Sequence, residues 1–413
     1  MSANPLIDVN LATLASLGDG LFAELSALRE HDPLAWSPAS HCWIVTGHEH
    51  IMEGFSGTLP LSSHHLPEML YQVIPEQEFK TRMPNTLKYQ CQILPNLDGD
   101  RHLHIRKLLV KALNKKLVES LRPFVRERVA TLLDMAAAKR ELEFNETIAR
   151  QLPGSVILRL LGISDTPMDK LKWWTDATTL ALTTFNPKAE WLDGLEIVVT
   201  DMLQVFQAVI EERRIKPRVD LTTEMLNAVE GSDRLTMEEM IAAMMLIVVA
   251  GHDTTLNSMS LGLRALSRNP APWAQWRAQP ERGQEFGIEL MRYVAMATAL
   301  PRVVSQDFIW HGRQLRKNEL VMLMMAGGNR DPAVYQQPNK MDLARPNDAS
   351  LTFGPGLHHC IGHLLAKMQI DEFFTALTQR FDRVKLLEEP EFVPNLVFRG
   401  LQKMNVRFHP RSD

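Results

Sequence analysis

The residues with the clearest chemical potential stand in a glycine-rich loop that contains a cysteine. The segment Phe353–Gly362 reads FGPGLHHCIG and runs into the helical pattern HLLAKMQIDEFF. Glycine lets the backbone turn tightly and approach a flat ligand closely. A cysteine just before a helix faces backbone N–H groups and the positive end of the helix dipole, and both favour its thiolate. These residues alone allow two interpretations, a metal-binding thiolate at Cys360 and a turn that buries a thiol.

A second unusual segment lies in the middle of the longest helical pattern, Thr236–Ser267. This pattern begins with a capping box, and the apolar residues on all sides of its first half predict a buried helix of ~9 turns. The central residues Gly251–Thr255 read GHDTT. They combine poor helix formers with an acid that is costly to bury, so we interpret this break as functional. A kinked but inert core helix is the alternative.

Helical patterns dominate the elements that must position these two segments. Apolar residues at spacings of three and four predict helices at Asp19–Glu30, Leu117–Ala138, Thr200–Arg214, Thr236–Ser267, Gln284–Ala297 and Gly362–Phe381. Strand-like patches are fewer. They predict a pair, Leu34–Trp36 with Cys42–Val45, a hairpin of Phe308–Trp310 and Arg313–Leu315 about His311-Gly312, and a last strand at Met404–Phe408. The sequence therefore predicts a mainly α protein with small sheets at its margins.

Composition limits the class of protein further. Of 413 residues, 45% are hydrophobic and 23% are charged, which is typical of a globular protein, and the net charge of −4 gives no indication of nucleic-acid binding. The start MSANPLIDVN has neither a basic nor an apolar run, and the apolar stretch Met240–Gly251 is short for a membrane span. We expect a cytoplasmic protein without a membrane anchor. Three widely spaced cysteines suggest neither a disulfide framework nor a zinc cluster.

Four segments match motifs of one protein family in the family's order and spacing. They are the loop Phe353–Gly362, the helix segment Ala250–Thr255 (AGHDTT), the pair Glu289-x-x-Arg292 and the segment Asn329–Pro332 (NRDP). In these segments the chain resembles the cytochrome P-450 family. The resemblance implies the family fold, a helical triangular prism with small β-sheets, so we expect residues 1–413 to form a single heme-thiolate monooxygenase domain.

The resemblance also implies which residues hold the cofactor, heme b. Cys360 would be the thiolate ligand of the iron, and Ala250, Phe353 and Gly362 would lie against the heme. In this family a His-x-x-x-Arg pair, a further arginine and the histidine before the cysteine meet the two heme carboxylates. The matching residues are His102, Arg106, Arg302 and His358. Buried carboxylates need charge-assisted donors, although each residue taken singly is also explained as a surface charge.

The same resemblance gives roles to two further pairs. Asp253 and Thr254 match the family's acid–alcohol pair, in which the carboxylate relays protons from solvent and the hydroxyl acts on the oxygen side of the heme. Glu289 and Arg292 would form a buried structural ion pair. The implied activity is a monooxygenase that reductively activates O2 and hydroxylates or epoxidises its substrate.

No flavin or iron–sulfur motif is present, so the electrons must come from an external donor. We expect a ferredoxin-type or flavodoxin-type protein with its reductase. Lysines at helical spacing beyond Arg106, together with one lysine after the heme loop, form a candidate docking surface: Lys107, Lys111, Lys115, Lys116 and Lys367. A solvated basic face explains these charges equally well. We expect the protein to be a monomer.

The substrate pocket is expected to be hydrophobic. Its residues by position are Leu246, Val249, Ala250, Thr298, Leu300 and Phe398. Such a lining favours a terpenoid, an aromatic compound or a fatty-acid-like chain. Two other functions stay open, a peroxide-driven peroxygenase and a non-catalytic heme-thiolate ligand sensor. The acid–alcohol pair argues against the peroxygenase.

Overall fold

The structure, a computed structural model, describes residues 9–64, 74–183, 189–230 and 233–411. Its α-helices are α1 (Leu11–Ser16), α2 (Leu21–His31), α3 (His48–Phe55), α4 (Glu76–Arg82), α5 (Pro84–Lys88), α6 (Gly99–Ala112), α7 (Lys115–Ser120), α8 (Arg122–Lys139), α9 (Gln151–Leu161), α10 (Met168–Thr183), α11 (Ala189–Ile215), α12 (Leu221–Asn227), α13 (Met237–Arg268), α14 (Pro270–Ala278), α15 (Gly283–Val294), α16 (Met325–Gly328) and α17 (His363–Arg380). About 60% of the structure is helical, so the mainly α fold class is confirmed.

The β-strands are short and form small sheets. They are β1 (Leu34–Ser37), β2 (Cys42–Val45), β3 (Leu61–Ser62), β4 (Glu141–Glu143), β5 (Val229–Glu230), β6 (Asp233–Arg234), β7 (Leu300–Val304), β8 (Phe308–Trp310), β9 (Arg313–Leu315), β10 (Leu320–Leu323), β11 (Phe381–Leu386) and β12 (Asn405–Pro410). The largest sheet has the strand order β1-β2-β10-β7-β3, and a second sheet has the order β11-β12-β4. The predicted β1–β2 pair and β8–β9 hairpin are both confirmed. His311 and Gly312 adopt positive φ angles of 44° and 77° in the hairpin turn, as a tight two-residue turn requires.

Helix α13 is the central element of the core. The Thr236 side chain accepts a hydrogen bond from the Glu239 N–H, and the Glu239 carboxylate accepts one from the Thr236 N–H, so the predicted capping box is confirmed. The helix packs against α9, α10, α11, α15 and α17. It is long and apolar enough to cross a membrane, but 72% of its most apolar window is buried inside the protein. It is therefore a core helix. The predicted helix Thr236–Ser267 is confirmed, and its backbone runs through Gly251–Thr255 without interruption.

Three helix predictions were wrong at their boundaries. The predicted helix Thr200–Arg214 lies within α11, which begins at Ala189. The predicted helix Leu117–Ala138 is divided into α7 and α8 at Leu121. Pro123 occupies the first turn of α8, where its missing N–H is tolerated, whereas inside a continuous helix it would remove a hydrogen bond. Helix α15 ends at Val294 rather than at residue 297, because Ala295 takes a left-handed conformation with φ 44°.

A buried ion pair between Glu289 and Arg292 connects α15 to the segment before the cysteine loop. Both side chains are fully buried, and Arg292 Nε donates to Glu289 Oε2 at 2.6 Å. Arg292 Nη1 also donates to the carbonyl oxygens of Asn329 and Pro338, at 2.7 and 3.1 Å. One guanidinium group therefore donates both to a buried carboxylate and to two backbone carbonyl oxygens that lie outside the helices and strands.

A stack of alternating rings and guanidinium groups joins the N-terminal helices to the C-terminal segment. In spatial order the stack contains Tyr293, Arg330, Phe22, Arg399, Phe392 and Arg264. Each guanidinium carbon lies 4.0 to 5.1 Å from the centroid of the neighbouring ring. Arg399 Nη2 also donates to Asp19 Oδ1 at 2.8 Å. Desolvated cation–π contacts contribute up to roughly 2 kcal/mol each, so we infer that the stack fixes α2 against the rest of the protein.

Candidate active site

A cavity of about 330 Å³ lies between α13, α9, β7 and the cysteine loop. Most of its wall is apolar. Of the residues predicted to form a substrate pocket, Leu246, Val249, Ala250, Leu300 and Phe398 line the cavity. Thr298 does not: it is buried behind the wall, where its hydroxyl donates to the Ala295 carbonyl oxygen and its N–H donates to the Val397 carbonyl oxygen.

The cysteine loop brings Cys360 to the wall of this cavity. The Cys360 N–H donates to the Phe353 carbonyl oxygen at 2.9 Å, and the Gly354 N–H donates to the Leu351 carbonyl oxygen at 3.0 Å. Gly356 has a φ of +75°, and a Cβ atom there would lie 2.0 Å from the carbonyl oxygen of Phe55. The close approach of the loop to α3 therefore requires glycine at position 356.

We expect Gly356→Ala to destabilise the protein far more than Gly354→Ala. Both glycines have positive φ angles, of +75° and +66°, but a Cβ atom at Gly354 would meet no heavy atom within 4 Å. In the Gly354 variant, the free energy of unfolding should fall only by the strain of an alanine in the left-handed region, roughly 1–3 kcal/mol. In the Gly356 variant, the free energy of unfolding should fall further, because the added methyl group would collide with the Phe55 carbonyl oxygen, which helix α3 holds in place. Urea denaturation of both variants measures the difference, and equal losses would contradict the role of the α3 contact.

The electrostatic surroundings of Cys360 differ from the sequence-based expectation. Burial raises the pKa of the thiol, while a backbone hydrogen bond from Gly362 and the positive charges of Arg106 and Lys367 oppose this rise. The backbone N–H group favours the thiolate, as expected, but burial outweighs it and the pKa of the thiol stays above its usual value. A bound metal cation would supply the missing positive charge and select the thiolate.

Basic side chains gather on one part of the cavity wall. Arg106, Arg302 and His358 line the cavity, and His102 lies behind His358 with ring centroids 4.0 Å apart. Arg302 Nη1 donates to the Pro301 carbonyl oxygen at 2.8 Å, and burial lowers the pKa of Arg302 to about 10. Burial, together with the charges of His358 and Arg106, lowers the pKa of His102 to about 4. This concentration of positive charge and buried donors is costly without an anionic partner.

The described residues supply little negative charge to this basic group. Asp98 Oδ1 lies 3.7 Å from His358 Nε2, and His102 Nε2 is buried without a hydrogen-bond partner in the described part of the chain. A ligand with a flat apolar body and two carboxylates would satisfy these groups, while Cys360 on the same wall would reach a metal at its centre. The donor set therefore fits a heme at this site.

Asp253 and Thr254 on α13 occupy different positions relative to the cavity. Thr254 lines the cavity, and its hydroxyl donates to the Ala250 carbonyl oxygen at 2.5 Å. Asp253 is not part of the cavity wall. Its Oδ1 accepts from His252 Nδ1 at 2.8 Å, and its Oδ2 accepts from the Thr179 hydroxyl at 2.5 Å. Burial alone would raise the pKa of Asp253, but these hydrogen bonds and the charge of Arg150 hold the pKa below its usual value.

Sequence reasoning missed three polar residues at or beside this site. His252 stands inside the recognised motif, so its place next to Asp253 could have been noticed, but Thr179 carries no local signal. Asn96 lines the cavity, and its side-chain nitrogen is buried without a partner among the described residues. Asn96 ends a short 3-10 helix, Leu94–Asn96, and a single asparagine there gives no indication in the sequence of its place at the cavity.

The lysines of the expected docking surface do not follow a single helix. Lys107 and Lys111 lie on α6, whereas Lys115 and Lys116 begin α7 after a break at Leu113-Asn114. These four side chains are exposed. Lys367 is partly buried on α17, with Nζ 5.3 Å from the centroid of the Phe353 ring, and burial lowers its pKa. Lys367 thus lies beside the cysteine loop rather than on the exposed face.

Comparison with known proteins places these features in a family context. A family model described as Cytochrome P450 matches residues 179–281 and 288–403, together more than half of the chain. Cytochrome P450 107B1 of Saccharopolyspora erythraea is 30% identical over 316 residues, which cover 76% of each protein. Linalool 8-monooxygenase of Pseudomonas putida is 26% identical over 387 residues, which cover 93% of this chain and 94% of the relative.

Solved structures share the same architecture. Cytochrome P450BioI, solved in complex with an acyl carrier protein ligated to hexadec-9Z-enoic acid, superposes with a TM-score of 0.86 at 25% identity. The match covers 96% of this chain and 100% of P450BioI. The arrangement of helices and small sheets around the cavity is therefore common to both proteins.

Proposed function

The chain belongs to the cytochrome P450 family of heme monooxygenases, and we propose that it hydroxylates or epoxidises a small hydrophobic compound with electrons from a separate redox protein. The observation that carries this proposal is that one largely apolar cavity is lined both by Cys360 and by Thr254. The cysteine can bind the iron of heme, and the hydroxyl lies on α13 within the same space. When bound, heme supplies the activation of O2 and the transfer of one oxygen atom to the substrate.

The residues of the protein would control where protons and substrate reach the cofactor. Cys360 would hold the iron, and the basic residues Arg106, Arg302 and His358 would orient the heme carboxylates. Asp253 would take up protons from outside the cavity, and the Thr254 hydroxyl would hold a proton donor inside it. The apolar wall would exclude bulk water, so that protons enter through these groups rather than freely.

We expect Thr254→Ala to uncouple reductant consumption from product formation. Positioned proton-transfer groups contribute roughly 10²–10⁴-fold, so product formed per reductant consumed should fall on the order of tenfold or more. Coupling is measured as product and hydrogen peroxide per NAD(P)H oxidised. Thr378→Ala is the matched control: the Thr378 hydroxyl also donates to the carbonyl oxygen four residues earlier, at 2.9 Å, but lies outside the cavity. Unchanged coupling in Thr254→Ala would show that the Thr254 hydroxyl has no role in proton delivery.

The apolar wall supports a hydrophobic substrate such as a terpenoid, an aromatic compound or a fatty-acid-like chain. One relative is named as a linalool 8-monooxygenase, and P450BioI was solved in complex with an acyl carrier protein ligated to hexadec-9Z-enoic acid. A screen of such compounds by difference spectroscopy tests the proposal, because a fitting molecule shifts the Soret band of the oxidised protein. Product formation with a reductant and O2, but not with hydrogen peroxide alone, would distinguish a monooxygenase from a peroxygenase or a ligand sensor.

We propose that a small acidic ferredoxin or a flavodoxin delivers the electrons, at a surface that includes Lys107, Lys111, Lys115 and Lys116. The exposed lysines on α6 and α7 follow directly after Arg106, whose Nη2 donates to the His359 carbonyl oxygen beside Cys360 at 2.6 Å. This proximity of the basic surface to the cysteine loop supports electron entry from that side.

The double variant Lys111→Glu/Lys115→Glu should raise the KM for a reduced acidic [2Fe–2S] ferredoxin several-fold. Each exposed ion pair contributes roughly 0.2–1 kcal/mol, and the effect should weaken as salt shortens the Debye length to about 8 Å at physiological ionic strength. The measurement is steady-state turnover at low and high salt. Lys317→Glu, on the turn between β9 and β10, is the control for a general charge effect. Equal KM values for Lys111→Glu/Lys115→Glu and Lys317→Glu would mean that the electron donor docks on a different surface.

A further inference from the structure

Asp253 is held from two sides by donors on different helices. His252 Nδ1 lies 2.8 Å from Oδ1 of the carboxylate, within α13 itself. The Thr179 hydroxyl donates to Oδ2 at 2.5 Å from α10, seventy-four residues earlier in the chain. Each carboxylate oxygen therefore accepts one hydrogen bond, and the side chain is fixed in a position outside the cavity wall.

Among the described residues, the Asp253 carboxylate is the polar partner of the His252 side chain. The residue is fully buried, and its Nε2 atom has no hydrogen-bond partner among the residues that the structure describes. The neutral imidazole carries one N–H, and a ring that donates from Nδ1 leaves Nε2 as an unused acceptor. Burying a histidine with one unsatisfied nitrogen is costly. The Asp253 contact is the interaction that offsets this cost.

We propose that His252 is a positioning residue for proton delivery, and that it acts with Thr179 to keep the Asp253 carboxylate ionised and in one orientation between turnovers. A buried carboxyl group without donors takes up a proton and turns toward any acceptor, and it can then no longer accept the next proton from outside. Two donors fixed by the helices prevent this. The inference rests on the proposed relay role of Asp253 and adds the residues that prepare it.

Replacing His252 separates this role from simple packing. His252→Asn keeps an N–H group close to the position of Nδ1, whereas His252→Phe keeps the ring and removes the donor. We expect His252→Phe to lower product per NAD(P)H by about tenfold and to increase the solvent deuterium isotope effect on product formation. The asparagine variant should restore coupling to within about threefold of the wild-type value. A merely structural role would give the opposite order, because phenylalanine fills the space better than asparagine.

Thr179 provides an independent test that does not alter α13. Thr179→Val is nearly isosteric and removes the hydroxyl, while Thr179→Ser retains it. We expect the valine variant to be uncoupled in the same direction as His252→Phe and the serine variant to be close to wild type. The reduced carbon monoxide spectrum and the melting temperature of each variant establish that it is folded and binds heme. If His252→Asn is as uncoupled as His252→Phe, the second ring nitrogen is required, and the positioning role is overturned.

A third variant distinguishes failure of this inference from failure of the proposed function. Asp253→Asn removes the acid itself. If Asp253→Asn stays coupled, the relay role of Asp253 is wrong. If Asp253→Asn is uncoupled while both His252→Phe and Thr179→Val stay coupled, the relay stands and the positioning role of the two donors is overturned.

Discussion

Replacing Cys360 with serine is expected to abolish the red-shifted Soret band of the reduced carbon monoxide complex and to bring monooxygenase activity below detection. A hydroxyl group of similar size can fill the same space, but it is a far weaker donor of electron density than a thiolate. Because Cys360 lies on the cavity wall beside the basic group, no other described cysteine can replace it: Cys42 lies on β2, and Cys91 is buried near α5. The difference spectrum of reduced protein with carbon monoxide measures the result.

Cys42→Ser is the matched control for this experiment. Its thiol is also buried, and burial raises its pKa to about 12, so Cys42 is a structural thiol that lies outside the cavity lining. The Cys42 variant should retain the red-shifted band and its activity. A red-shifted band in the Cys360→Ser protein would mean that another group binds the iron.

Breaking the Glu289–Arg292 pair should produce the largest loss of stability. Removing one partner of a buried ion pair leaves an uncompensated charge, at a cost of roughly 3–5 kcal/mol. In Glu289→Ala, the Arg292 guanidinium would lose its 2.6 Å contact, and the Asp342 N–H would lose an acceptor that lies at 3.0 Å. We therefore expect a much lower urea midpoint and poor retention of heme, because the segment before the cysteine loop depends on this pair.

An exposed ion pair gives the control for charge removal in a helix. Lys172 and Asp176 lie at i and i+4 on α10, with 39% and 55% of their side chains exposed and a 2.6 Å contact. Pairs of this type contribute roughly 0.3–0.5 kcal/mol, so Asp176→Ala should change the free energy of unfolding only slightly. Similar losses in the two variants would mean that the Glu289–Arg292 pair does not stabilise the fold through its burial.

Local patterns predicted the parts of the site that lie within one element. The capping box before α13, the glycines of the cysteine loop and the pocket residues on α13 are recognisable because their spacing reflects one backbone conformation. Gly356 illustrates this. Its positive φ and its close approach to Phe55 require glycine, and Gly356 is one of the glycines by which the loop motif is recognised.

Properties that depend on packing between distant segments could not be predicted. The pKa of Cys360 follows from burial by the whole fold, whereas the sequence near Cys360 contains only the opposing Gly362 N–H group and the charge of Lys367. Thr298 was expected in the pocket by its position, but a turn of the backbone directs its hydroxyl to Ala295. The contact between Thr179 and Asp253 joins α10 to α13, and neither helix alone indicates it.

The ring and guanidinium stack has a consequence for the order of folding during synthesis. Phe22 contacts Arg399, and Arg399 contacts Phe392, although these two residues follow Phe22 by 377 and 370 positions in the chain. Contacts this distant in sequence form late, because the intervening chain must be closed into a loop first. The apolar faces of α1 and α2 therefore stay uncovered until the segment that contains Phe392 and Arg399 has been synthesised. We expect them to be the segment that most needs chaperone protection in the nascent protein.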